Sequence, residues 1–216
     1  MKQKTAFKRH AQDQRIVIVD SLEDFELWRE RHLHGISGII CDYPLPPKTI
    51  QEAADHIVRV ARTDQHTWWS YREGQEGVQE HNRQYTLLDL PATFQRLHND
   101  GITGPAYDIT TDLTQLYMHV ADEPDDMPIG ENMLQINVNS TRTIEDHKDP
   151  NDTLAFAFSR GGTDISSKTQ DSPRHPKPSH FSIDHGQVLL IDSTIVHKTP
   201  RPEKNWHTDP RVSLVI

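Results

Sequence analysis

Short segments in which apolar and polar residues alternate fill the C-terminal part of the chain, and they constrain its fold more than any other feature. Two of them read MLQINVNS, from Met133, and TLAFAFSR, from Thr153. Because successive side chains of a β-strand point to opposite faces, this period of two predicts strands with one buried face. The apolar runs GQVLLIDS, from Gly186, and RVSLVI, from Arg211, predict further strands. Turns rich in Gly, Pro and Asp separate these segments.

The N-terminal part of the chain has a helical texture, in which apolar residues recur at intervals of three and four. Ile50, Ala54 and Ile57 show this spacing after Pro46 and Pro47, which are suited to open a helix. The elements predicted in this part are strands at Arg15–Asp20, Ile36–Cys41 and Tyr85–Leu90, and helices at Ser21–Gly35, from Pro46 onwards, at Pro91–His98 and at Thr110–Val120.

Two details of this region bear on its boundaries. Ser21 is a predicted N-cap with Asp24 three positions later, in the manner of a capping box, and Gly35 is predicted to end that helix. The run His66–Gln84 has no period and contains two glycines, so it is predicted to be a long loop or lid. Structureless loops of this length are uncommon in compact domains unless they carry function.

A helical first part followed by a run of strands predicts the α+β class, with the strands closing into a sandwich or barrel. The length of 216 residues suits one large domain. We predict a single domain over 1–216, divided into a flexible tail at 1–14, a mainly helical supporting and lid region at 15–130, and a β core at 131–216.

The charge balance disfavours nucleic acid as a partner, because 32 acidic residues outnumber 23 basic ones and give a net charge of -9. No apolar run approaches the length that crosses a bilayer, so no membrane association is expected. The basic N-terminus has no apolar stretch behind it and is not expected to be a secretory signal. The single cysteine, Cys41, lies in an apolar run and is predicted to pack as a small hydrophobe. These features favour a cytoplasmic protein.

The sequence contains three His-x-Asp pairs, a pattern in which an imidazole and a carboxylate on one strand can reach the same metal ion. The pair at His98 coincides with a predicted helix end, and the pair at His207 lies in a turn. Only His147 and Asp149 lie beside a predicted strand and precede a further histidine, His197, at the mouth of another strand. Two His and one carboxylate form the ligand set of non-haem Fe(II) oxygenases.

The order of these residues resembles the Fe(II)/2-oxoglutarate-dependent oxygenase superfamily. That family's pattern is His-x-Asp, a distal His about fifty residues later and Arg-x-Ser shortly after it, as in Arg211 and Ser213 here. The strand that contains Asn137 and Asn139 is similar to the Asn-containing strand before the metal motif in several branches. The resemblance covers roughly Asn132 to Ile216, and we recognise no family in the first 130 residues.

The resemblance implies a double-stranded β-helix, a jelly-roll of cupin type, flanked by N-terminal helices. It implies that His147, Asp149 and His197 hold Fe(II), and that 2-oxoglutarate and O₂ occupy its other positions. It further implies that Arg211 binds the distal carboxylate of 2-oxoglutarate and that Ser213 adds a hydroxyl contact, with Asn137 as another contact. The products would be succinate, CO₂ and an oxidised substrate.

Two positions refine this expectation. Some branches of the family carry Tyr where this chain has Asn139, so the phenol contact is absent or is replaced by an amide. Related halogenases carry a small residue at the position of Asp149, where it makes room for chloride. The carboxylate of Asp149 therefore favours hydroxylation, or a related oxidation such as desaturation.

The substrate is expected to be a small polar molecule, either amino-acid-like or an intermediate of natural-product synthesis. An aromatic and charged cluster in the predicted loop either lines the substrate pocket or covers the core from outside; it consists of Trp68, Trp69, Tyr71 and Arg72. A second hypothesis keeps the chemistry but makes the substrate a protein side chain or a modified nucleobase. A third is a cupin-type protein that binds a metal or ligand without turnover.

Overall fold

The computed structural model of the chain describes residues 7–63, 69–70, 82–87, 93–121, 134–139, 144–147, 149, 151–159, 163–167, 179–199 and 211–216. Within these ranges the backbone alone is described at 69–70, 82–83, 93, 139, 144–147, 163–167, 179–182 and 198–199. The helical elements are a 3-10 helix at Leu22–Glu30 and the helices α1 (Arg31–His34), α2 (Pro47–Thr63), α3 (Thr93–Asn99) and α4 (Pro105–Val120).

The strands are β1 (Lys8–Arg9), β2 (Ile16–Ile18), β3 (Gly38–Asp42), β4 (Trp69–Ser70), β5 (Asn82–Leu87), β6 (Leu134–Asn139), β7 (Ile144–His147), β8 (Thr153–Ala157), β9 (Thr163–Ser167), β10 (Ser179–Ile183), β11 (Gln187–Ile191), β12 (His197–Thr199) and β13 (Arg211–Val215). Nine of them form one sheet in the order β1-β2-β3-β11-β8-β13-β6-β5-β4. Neighbouring strands in this sheet are antiparallel, except that β2 and β3 are parallel. We call it the major sheet.

A second, smaller layer consists of two strand pairs, β7 with β12 and β9 with β10. The two pairs lie side by side, because β9 and β12 are in contact. From β6 to β13 the chain passes repeatedly between this layer and the major sheet, as it does in a double-stranded β-helix. The predicted α+β class and the predicted jelly-roll core are both confirmed.

The side chains on the two faces of the major sheet belong to two different apolar clusters, as the alternating sequence predicts. On β8 the side chains of Leu154 and Phe156 belong to the large core, which packs against α2 and α4. Ala155 and Ala157 point the other way and join a smaller apolar cluster with Leu189. We call this second face, which looks into the β-helix, the inner face.

The first helical segment has the predicted capping box, because the Asp24 carboxylate accepts hydrogen bonds from the backbone N–H and the hydroxyl of Ser21 at 3.1 and 3.0 Å. The segment is a 3-10 helix up to Glu30, where a single α turn takes over. Gly35 ends that turn with a φ of 60°, a conformation that glycine adopts without a Cβ clash. The first and last residues of the helical segment were therefore predictable from Ser21, Asp24 and Gly35, but its 3-10 conformation was not.

The predicted boundary of α4 is wrong by five residues, since the helix begins at Pro105 and not at Thr110. The residues before Thr110 are rich in turn formers, but the turn ends at Gly104, and Pro105 occupies the first helical turn. The buried hydroxyls of Thr110 and Thr114 donate to the carbonyls one turn earlier at 2.7 Å. These local bonds let two polar residues lie on the core side of α4.

Two predicted irregular segments contain strands. Lys8–Arg9 lies in the predicted flexible tail, yet it forms β1 against β2. The predicted loop His66–Gln84 contains β4 and the start of β5, which pair with each other. β5 is described to Leu87, and the last three residues of the predicted strand, 88–90, lie outside the described residues. Pairing with distant partners decides these elements, and a local pattern cannot report it.

Each of the helices that the structure describes is too short or too polar to span a lipid bilayer.

Cys41 lies in the large core with 1% of its surface exposed, as its apolar surroundings in the sequence predict. Burial, together with the carboxylate of Asp42, raises the pKa of its thiol from 9.0 to about 11. The thiolate is the reactive form, so the folded protein holds this cysteine in its inert state at neutral pH.

We therefore expect a thiol reagent such as DTNB to label the native chain at pH 8 at least about 100-fold more slowly than the urea-unfolded chain, since a pKa near 11 lowers the thiolate fraction by about that factor. Stopped-flow absorbance at both conditions measures the two rates. Equal rates would contradict the burial of Cys41.

Candidate metal and cosubstrate site

The second layer brings Asp149 and His197 together. β7 ends at His147 and β12 begins at His197, and the backbones of these two residues are directly opposite each other in the antiparallel pair. Asp149 follows two residues after His147, and its Oδ2 lies 3.1 Å from Nε2 of His197. The His197 side chain is 11% exposed and that of Asp149 is 31% exposed. The three predicted ligand positions thus meet at one end of the second layer.

The contacts of His197 orient its ring toward the carboxylate. Its Nδ1 lies 3.3 Å from the carbonyl of Ile195, and a proton on Nδ1 donated to that carbonyl leaves the lone pair on Nε2. In that tautomer the Nε2 lone pair faces the Asp149 carboxylate at 3.1 Å, an arrangement that a metal ion bound to both atoms would stabilise.

The distance suits a metal ion. Two ligand atoms about 2.1 Å from one divalent ion, at right angles to each other, lie about 3.0 Å apart. Nitrogen from imidazole and oxygen from carboxylate are ligand types that Fe(II) accepts, so the donor set fits that ion. Among the described side chains, which do not include that of His147, no three potential metal-binding groups come together.

The loop that carries Asp149 is held by the N-terminal helices through Asp152. The Asp152 carboxylate accepts a hydrogen bond from Nε1 of Trp28 at 2.9 Å and lies 3.3 Å from Nη2 of Arg31. The Arg31 guanidinium lies over the Trp28 ring, 4.8 Å from its centre. The hydroxyl of Tyr117, on α4, donates to the Asp152 carbonyl at 2.8 Å. We call these four residues the Asp152 anchor.

The predicted cosubstrate residues lie on the inner face of the major sheet. On β13, Val212 and Leu214 belong to the large core, so Arg211 and Ser213 point to the opposite face. Arg211 is 4% exposed and Ser213 is 6% exposed. Asn137, on β6, is half-buried and pairs directly with Ser213. The strand register therefore brings together three residues that lie far apart in the sequence.

This register continues into a row that crosses four strands. Ser213 pairs with Asn137, Asn137 pairs with Gln84 of β5, and Gln84 pairs with Trp69 of β4. Gln84 is half-buried, and its neighbour Tyr85 lies in the large core, so Gln84 is on the inner face. We call Trp69, Gln84, Asn137 and Ser213 the polar row. It places the predicted substrate residue Trp69 in register with predicted cosubstrate residues.

Gln84 is the member of the polar row that sequence reasoning missed. The sequence predicts it at the end of a loop, because its neighbours show no period. The other predicted substrate residues lie outside the described residues; they are Trp68, Tyr71 and Arg72.

No protein-family model matches the sequence, and no curated protein matches it either. Solved structures do match. A prolyl-4-hydroxylase from Pseudomonas putida is 11% identical and superposes with a TM-score of 0.53 over 88% of this chain and 96% of its own. AviO1 from Streptomyces viridochromogenes is 12% identical, with a TM-score of 0.52 over 83% of this chain and 88% of its own.

A third match is the non-heme alpha ketoglutarate dependent epimerase SnoN from nogalamycin biosynthesis, which is 12% identical and has a TM-score of 0.52 over 90% of this chain and 81% of its own. The chain has the fold of the Fe(II)/2-oxoglutarate-dependent oxygenases. This oxygenase fold is what the order of His, Asp, Arg and Ser implied. Identities this low establish the fold, and the activity has to be argued from the residues themselves.

Asp152→Asn is expected to destabilise the protein by about 2–4 kcal/mol, because it takes the carboxylate charge away from the largely buried guanidinium of Arg31. Urea unfolding measures the change. The double variant Arg31→Met with Asp152→Asn should cost less than the sum of the two single variants, since neither charge is then left behind. Additive single effects would show that the ion pair is not what holds the anchor.

Proposed function

We propose that this protein is an Fe(II)- and 2-oxoglutarate-dependent dioxygenase that hydroxylates, or otherwise oxidises, a small polar molecule. The observation that carries the proposal is the approach of Asp149 Oδ2 to His197 Nε2 at 3.1 Å, with His147 directly opposite His197 in the strand pair. Residues opposite each other in an antiparallel pair share a face, so the register suits His147 as the third ligand.

In this proposal each residue has a defined task. The imidazoles of His147 and His197 and the carboxylate of Asp149 hold the metal on one side and leave its other positions open. Arg211 presents a buried guanidinium to the distal carboxylate of 2-oxoglutarate, and its planar fork suits a carboxylate. Ser213, one pleat along the same face, adds a hydroxyl to the cosubstrate.

With Fe(II) bound, the centre would couple the reduction of O₂ to the oxidation of 2-oxoglutarate to succinate and CO₂ and of the substrate. Burial of Arg211 and Ser213 supports this role, because a site shielded from water strengthens the contact between a guanidinium and a carboxylate. Asp149 occupies the position at which a small residue would favour halogenation. Its carboxylate supports transfer of oxygen to the substrate, or a related oxidation.

The polar row supports a substrate that forms hydrogen bonds. Gln84 offers a neutral amide, able to donate and to accept, beside the proposed cosubstrate residues Asn137 and Ser213. The fold shared with an epimerase from nogalamycin biosynthesis supports a small molecule of natural-product type. The fold shared with a prolyl-4-hydroxylase keeps a protein side chain as the alternative substrate. A panel of metabolites and proline-containing peptides distinguishes the two.

The purified chain is expected to bind one Fe(II) and, with substrate, to release succinate from 2-oxoglutarate. Alanine at His147, Asp149 or His197 should weaken Fe(II) binding by more than about 100-fold, which exceeds the usual effect of losing an outer-shell partner. Anaerobic titration with Fe(II) measures binding, and a coupled assay measures succinate. Metal binding without any release of succinate across the panel would favour a non-catalytic cupin-type protein.

His98→Ala is a matched control for these variants, since His98 belongs to another His-x-Asp pair and is exposed on α3. Its Fe(II) affinity should equal that of the wild type. An equal loss of affinity in His98→Ala and His197→Ala would remove the metal assignment.

Arg211→Ala should raise the 2-oxoglutarate concentration needed for half-maximal turnover by about 10–100-fold, because a charge-assisted hydrogen bond contributes about 1.5–3 kcal/mol. Arg211→Lys keeps the charge but loses the fork, so its requirement should lie between those of the wild type and Arg211→Ala. Fe(II) content should be unchanged in both variants. An unchanged 2-oxoglutarate requirement would remove Arg211 from this role.

A further inference from the structure

Thr153 makes a direct contact with a proposed metal ligand. Its hydroxyl donates to Oδ2 of Asp149 at 2.8 Å, and this is the same oxygen that lies 3.1 Å from Nε2 of His197. A second acceptor, the carbonyl of Asn151, lies farther away at 3.4 Å. A hydroxyl has one proton to donate, and the shorter contact to the charged acceptor is the stronger of the two.

The hydroxyl of Thr153 comes from a rigid position. Thr153 is the first residue of β8, is 6% exposed and pairs with Ile191 of β11. Its neighbour Asp152 is fixed by the anchor to Trp28, Arg31 and Tyr117. Both sides of Thr153 are therefore held, by the major sheet on one side and by the N-terminal helices on the other.

We propose that Thr153 is a positioning residue that fixes the rotation of the Asp149 carboxylate for metal binding. The inference rests on the proposed function, because it assumes that Asp149 is a ligand. A carboxylate on a short loop rotates about its χ angles, and a hydrogen bond from a rigid donor selects one orientation before the metal arrives. Outer-shell partners of this kind typically contribute a factor of 10–100 in metal affinity.

A chain of neighbouring contacts gives the N-terminal half a role in the proposed metal centre. Trp28 and Arg31 hold Asp152, the next residue is Thr153, and Thr153 holds Asp149. The N-terminal helices would thus contribute to the geometry of the ligand without touching the ion.

The test compares Thr153→Val with Thr153→Ser in anaerobic Fe(II) titrations. Valine keeps the branched shape and the strand preference of threonine but removes the donor, whereas serine keeps the donor and loses a methyl group. We expect Thr153→Val to weaken Fe(II) binding by about 10–100-fold and Thr153→Ser to remain within about threefold of the wild type. Thermal unfolding without metal checks that both variants fold.

The visible absorption of bound Co(II) gives a second readout that does not depend on turnover. A changed ligand geometry should shift the bands in Thr153→Val and leave them in place in Thr153→Ser. Equal Fe(II) affinity and equal spectra in Thr153→Val and the wild type would overturn the role of Thr153 while leaving the metal site intact. Equal losses in both variants would show that packing, and not the hydroxyl, is responsible, which also overturns it. A wild-type chain that binds no Fe(II) would overturn the proposed function together with this inference.

Discussion

The alternation of side chains across the major sheet is the constraint on which the rest of the structure depends. On β8 and β13 one set of residues enters the core beneath α2 and α4, and the other set points into the β-helix. The first set supplies the burial that stabilises the domain. The second set includes Arg211 and Ser213, and it can carry chemistry because the larger of the two apolar clusters lies on the opposite face. A shift of register by one residue would move each set to the other face, which would disrupt both the core and the proposed site.

The C-terminal strands were predictable because their period of two is a local signal that the sheet then satisfies. The sequence also selects His147, Asp149 and His197 as the predicted ligands, since their position next to strands distinguishes them from the competing His-x-Asp pairs. The structure brings Asp149 and His197 to 3.1 Å from each other, a closeness that the sequence can only imply. The side chain of His147 lies outside what the structure describes, so its participation stays a prediction.

Other parts of the molecule depend on contacts between residues that are distant in the sequence, and no local pattern reports these. The inclusion of Gln84 in the polar row follows from the pairing of β5 with β6, 50 or so residues later in the chain. The hold of Trp28 and Arg31 on Asp152 joins segments that are more than a hundred residues apart. Trp28 and Arg31 look like ordinary residues of an amphipathic helix in the sequence. The structure is needed to identify Asp152 as their partner.

The edge strands of the major sheet affect how readily another chain can pair with it. β1 and β4, which form its outermost strands, are each described over two residues, and β1 consists of Lys8 and Arg9. Because the residues on both sides of β1 are described and lie outside any strand, β1 offers few unpaired backbone groups to another chain, and its two adjacent positive charges disfavour the approach of an identical copy. A nine-stranded sheet is a large template for intermolecular pairing. The short, positively charged β1 therefore disfavours the addition of a further strand from another chain at that margin of the sheet.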